Sequence, residues 1–62
     1  MELTKLITRG IRIGMNPVEV PALIDELEAT LSRNNLATAL HYYGLITTDA
    51  QVLKVMDKGI IR

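Results

Sequence analysis

The sequence predicts an all-α fold, a small bundle of three to four short helices in a single domain spanning residues 1–62. Three observations predict it. Apolar residues recur at i, i+3 and i+4 in successive segments, which is the spacing of one helix face. Glycine and asparagine punctuate those segments where helices would stop and start. The apolar content is 48%, with Tyr42 and Tyr43 the only aromatic residues, so the interior must be built from Leu, Ile, Val, Ala and Met.

Leu3, Leu6, Ile7 and Ile11 form the first stripe, with Lys5, Arg9 and Arg12 on another side of the same helix. This predicts a helix from Leu3 to Ile13 with Gly14 as its stop. A competing reading makes residues 9–13 a short strand, because the segment alternates in part and is rich in β-branched residues, pairing with residues 59–62. Asn16-Pro17 is a turn or helix-start signal. Pro21 removes a backbone donor and biases Val20 toward extended geometry. Residues 16–20 are therefore expected to be a connector, and Pro21 the first residue of a second helix running to Arg33. Leu23, Ile24, Leu27 and Leu31 form its inner stripe.

Asn34-Asn35 breaks the pattern, and Asn35 is expected to cap a third helix from Leu36 to Tyr43. Its inner face carries Leu36, Ala39, Leu40 and Tyr43, and Gly44 stops it. Thr48 and Gln51 have the spacing of a capping box, in which each side chain satisfies a free backbone donor of the other residue. A fourth helix from Asp49 to Lys58 follows, with Val52, Leu53 and Met56 directed inward and Gly59 closing it.

Composition narrows the function. A chain of 62 residues has little interior, and small domains generally add a disulfide, a metal or an oligomeric partner. There is no cysteine and a single histidine, His41, which argues against a disulfide and against a structural zinc site. Association with a second copy or another protein remains. Formal net charge is zero, so no overall field draws the chain to nucleic acid or to an anionic bilayer. No apolar run approaches the ~20 residues needed to span a membrane, and the first residues do not resemble a secretory signal. The expected location is cytoplasmic.

Catalysis finds no support. His41 has no nucleophile motif beside it, no phosphate loop is present, and the carboxylate pair Asp25 and Glu28 reads as a solvated helix face. No cofactor or metal is expected. Residues 36–58 do trace helix, glycine turn, helix, the outline of a DNA-binding helix-turn-helix. On that alternative the fourth helix would present Thr47, Thr48, Gln51, Lys54 and Lys58 to a duplex, with the protein acting as a dimer. Asp49 and Asp57 on the same helix, and the neutral net charge, count against it. The corner Gly44-Leu45-Ile46-Thr47 also has an ordinary local cause: a stop, two apolar plugs and a cap.

Charge is divided along the chain. Lys5, Arg9 and Arg12 in the first helix stand against Glu2 alone, whereas Glu19, Asp25, Glu26 and Glu28 follow with no base among them. The two sets could pair within one chain, between copies, or with an outside partner. The expected contact surface combines the basic residues Lys5, Arg9 and Arg12 with Ile13, Met15, Val18 and Val20 of the connector and Ile60 and Ile61 of the tail. The sequence is thus read as a non-enzymatic protein-interaction module or small regulator that self-associates. Its size, read as complete from Met1, suits a modulator of a larger bacterial or phage machine. A third reading is a structural subunit of a larger assembly.

Overall fold

A computed structural model describes all residues, Met1–Arg62, as four helices and no sheet. The helices are α1 (Leu3–Arg12), α2 (Glu19–Thr30), α3 (Arg33–Tyr42) and α4 (Asp49–Lys58). They pack in chain order, α1 on α2, α2 on α3 and α3 on α4, the last pair making the most extensive contact. Nine hydrophobic residues form one core: Leu6, Val20, Ile24, Leu36, Ala37, Leu40, Leu45, Ile46 and Val55. Every helix contributes, and so does the α3–α4 loop, where Leu45 and Ile46 are the apolar plugs the corner was expected to hold.

Helix ends follow from local chemistry. Both α1 and α3 finish in a Schellman motif. Gly14 N–H donates to the Ile11 carbonyl at 3.1 Å and Met15 N–H to Gly10 at 2.8 Å. Likewise Gly44 N–H donates to His41 at 3.1 Å and Leu45 N–H to Leu40 at 2.9 Å. Each motif needs a residue at positive φ, and Gly14 (95°) and Gly44 (84°) supply it without the Cβ clash other residues would suffer. At the start of α4 the capping box is formed: Thr48 Oγ1 accepts from Gln51 N–H at 3.3 Å, and Gln51 Oε1 accepts from Thr48 N–H at 3.3 Å.

α1 and α3 each end one residue before the expected position, at Arg12 and Tyr42, and three boundaries differ by more. α2 begins at Glu19, not Pro21. Asn16 N–H donates to Glu19 Oε2 at 3.1 Å while Asn16 Oδ1 accepts from Val18 N–H at 3.0 Å. This reciprocal turn starts the winding early, and Pro21 falls in the first turn, where backbone donors have no intrahelical partner anyway. α2 ends at Thr30, and the cap of α3 is Ser32, whose Oγ accepts from Asn35 N–H at 3.4 Å. Asn34, Asn35 and Arg33 therefore lie inside α3. Arg33, expected to close α2, instead donates from Nη1 to the Asp57 carbonyl at 2.7 Å. It satisfies one of the free acceptors at the far end of α4, joining the two helices of the antiparallel pair.

α4 also turns a different face inward. Val55 is fully buried and Val52 half-buried, whereas Leu53 is 62% exposed and Met56 lies on the surface. Periodicity admits either phase, and the packed core takes the one centred on Val52 and Val55.

Residues 9–13 form no strand. Instead the two ends of the chain run side by side, with a single parallel bridge between Glu2 and Ile61. Leu3 N–H donates to Ile61 at 2.8 Å, Ile61 N–H to Met1 at 2.9 Å, and the Met1 amino nitrogen to Gly59 at 3.0 Å. Residues 59–62 thus do pair, with residues 1–3 and not with 9–13. This clasp links the start of α1 to the end of α4, two helices that do not pack on each other directly.

Candidate functional site

The nine residues proposed as one contact surface are distributed by the fold. Val20 is completely buried and belongs to the core. Because α2 starts two residues early, Val20 sits on its inner face, against Gly10 of α1. Met15 and Ile60 are half-buried and packed on the core. Ile13 and Val18 are exposed, Val18 by 75%, at the C-terminal end of α1 and the connector. Ile61 is 56% exposed but lies at the N-terminal end of α1, roughly 14 Å away by helix rise. The predicted surface is therefore two separate regions, one at each end of α1.

The basic residues divide in the same way. Arg9 is half-buried and donates from Nη1 to Thr47 Oγ1 at 2.7 Å, tying α1 to the α3–α4 loop. Arg12 is exposed in the last turn of α1, where a cation is favoured by the helix dipole. Lys5 lies at the other end. None of the three pairs with the acids of α2. Asp25 and Glu28 are instead held by Arg62, at 2.7 Å from Asp25 Oδ1 and also in contact with Glu28. The tail, lying beside α1 and reaching α2, supplies the cation that α1 was expected to provide.

Between α1 and α4 lies an open cleft of about 250 Å³, lined by Met1, Glu2, Lys5, Gln51, Lys54, Lys58 and Ile61. It brings together residues that the sequence placed in two unrelated sets: Lys5 and Ile61 from the contact surface, and Gln51, Lys54 and Lys58 from the DNA-binding alternative. Lys5 and Lys54 are far apart in sequence and meet only because the terminal clasp sets α1 beside α4. No periodic pattern could have shown this.

Three of the five residues assigned to reading DNA are committed to the fold. Thr47 Oγ1 accepts from Arg9, Thr48 Oγ1 caps α4, and Gln51 Oε1 accepts from both Thr47 N–H at 2.8 Å and Thr48 N–H. A glutamine reads adenine by offering one donor and one acceptor together, and this acceptor is already engaged.

Apolar side chains complete the surface, among them Ile11, Tyr43, Leu53 and Met56, which the periodic stripes placed inward and which the fold leaves exposed. Tyr42 is exposed with them, as are Ile13, Val18 and Ile61. Tyr42, 86% exposed, packs edge-on against Tyr43 with ring centroids 5.9 Å apart. An ideal Cβ at the neighbouring Gly44 would lie 3.7 Å from Ile13 Cδ1, so Ile13 stands against the corner that carries these tyrosines.

No three His, Asp or Glu residues gather closely enough to suggest a metal site, and no helix is long and apolar enough to cross a membrane. No protein-family model, curated protein or solved structure matches the chain.

Proposed function

We propose that the protein is a non-enzymatic binding module that self-associates through its exposed apolar side chains, with Ile13 and Val18 at the centre of the contact. One observation carries this reading. Eight large hydrophobic side chains are exposed, against nine hydrophobic residues in the buried core. A chain that leaves this many large apolar side chains exposed gains by covering them. Scattered single exposures are ordinary, but Ile13 adjoins the Gly44 corner and the paired tyrosines, so several of these side chains share one end of the molecule.

The same geometry lends little support to duplex recognition. The outward side of α4 carries Leu53 and Asp57, and the polar residues that would read bases are engaged in capping. Sedimentation across micromolar to millimolar concentration tests the proposal. Mass should rise with concentration, and Ile13→Asp or Val18→Asp should lower it while leaving the helical circular dichroism intact. A protein that remains monomeric throughout that range would falsify self-association.

A further inference from the structure

The polar lining of the cleft between α1 and α4 is mostly cationic. Lys5, Lys54 and Lys58 bring three ammonium groups from two helices, and Glu2 is the one carboxylate beside them. No lysine is neutralised within the chain, since the ion pairs present are those of Arg62 with Asp25 and Glu28. Gln51 has its amide oxygen occupied by the Thr47 and Thr48 N–H groups, which leaves its NH₂ as the only hydrogen-bonding capacity it can offer a ligand. The lining is therefore rich in donors and poor in acceptors, as an anion requires.

We propose that this cleft binds a phosphoryl dianion, either inorganic phosphate or the head of a phosphomonoester. Charge selects the class. Three lysines and the Met1 amino group against one glutamate leave three net positive charges around the cleft, and a phosphomonoester, which carries about −1.5 to −2 at neutral pH, neutralises most of them. A carboxylate would neutralise only one of the three. Size agrees: about 250 Å³ admits a phosphoryl group with a small substituent and falls below the range of roughly 300–1,000 Å³ usual for larger organic ligands. Lysine serves such a group as a mobile point charge and needs no fixed bidentate geometry. The bound anion would also act as a bridge between α1 and α4, the neighbouring pair of helices with no direct packing.

The test is a ¹⁵N-resolved NMR titration of the whole chain with inorganic phosphate, phenyl phosphate and, at matched ionic strength, chloride and acetate. Saturable shifts at the amides of Lys5, Gln51, Lys54 and Lys58 with the two phosphoryl compounds are expected. Lys5→Gln and Lys54→Gln should each weaken binding by about threefold to fivefold, the scale of an exposed charge pair. Glu2→Gln should tighten it by a similar factor, and its side chain makes no cap to α1 that the substitution could disturb. Response to phenyl phosphate but not to inorganic phosphate would assign the site to esters, and the reverse to the free ion. Equal response to chloride, or phosphate binding indifferent to all three substitutions, would overturn the proposal.

Discussion

Alanine at position 10 sets two effects of opposite sign against each other. In an isolated helix, Gly→Ala favours the helical state by about 1 kcal/mol, because glycine loses more backbone freedom on ordering. In this fold the new methyl would lie less than 3.0 Å from Val20 Cγ2 and 3.4 Å from Leu45 Cδ2. Val20 is fully buried, and a helical valine has essentially one χ1 rotamer available. Relief must then come from moving α1 away from α2. Overpacking of this kind costs about 1–3 kcal/mol. With the separation of two helices placed toward the upper end, the net effect is a loss of about 1–2 kcal/mol. At this chain length that lowers Tm by about 8–16 °C. The assay is a double-mutant cycle by urea denaturation. Val20→Ala alone should cost about 2 kcal/mol through lost burial and a small cavity. Once the valine methyls are gone, Gly10→Ala should stabilise by about 1 kcal/mol, giving a coupling of about 2–3 kcal/mol. If Gly10→Ala stabilises the otherwise unaltered protein, the close approach of α1 and α2 is not what requires glycine there.

Other perturbations separate the remaining parts of the fold. Thr48→Ala should lose about 1 kcal/mol, and Gln51→Ala a comparable amount, with the pair less than additive in chemical denaturation because both disable one capping box. Val55→Ala should cost about 2 kcal/mol, whereas Leu53→Ala should change stability by less than about 0.5 kcal/mol; equal losses would mean that α4 is turned to the other phase. Arg62→Ala should cost no more than about 1 kcal/mol, since Asp25 and Arg62 are both substantially exposed, and the difference should fade in thermal melts at high salt. Duplex DNA at about 50 mM salt, where phosphate contacts are strongest, should not bind at micromolar protein in an electrophoretic shift.

Much of the fold is legible in the residues because its signals are local. Gly14, Gly44 and the Thr48–Gln51 box act within a few positions of themselves, and the ends they set lie where expected or one residue away. The errors arise where two local signals compete or where a distant partner decides. Ser32 and Asn35 are both good caps, and the choice of Ser32 brings Arg33 to the end of α4. Val52–Val55 and Val52–Leu53–Met56 are both acceptable helical stripes, and packing in the finished core selects the first. Pro21 read as a start signal places Val20 on the surface, but a proline is also tolerated within the first turn, and there Val20 falls on the inner face. The lysine cleft was invisible for a different reason: Lys5 reaches Lys54 and Lys58 through the pairing of the chain's two ends, and no sequence window contains both.

That pairing of ends has a consequence for the order of folding. Contacts between α3 and α4 join residues close in sequence, so they form early at small entropic cost. The hydrogen bond from Met1 to Gly59 closes a loop across 58 positions, and closure entropy grows with loop length. Substitutions in α3 and α4 should therefore slow folding, while those that weaken the pairing of residues 1–3 with 59–61 should chiefly speed unfolding. In native-state hydrogen exchange, the Leu3 and Ile61 amides should open at lower free energy than those of Leu40 or Val55. Whatever binds between α1 and α4 would then meet a gap that opens and closes without the rest of the molecule unfolding.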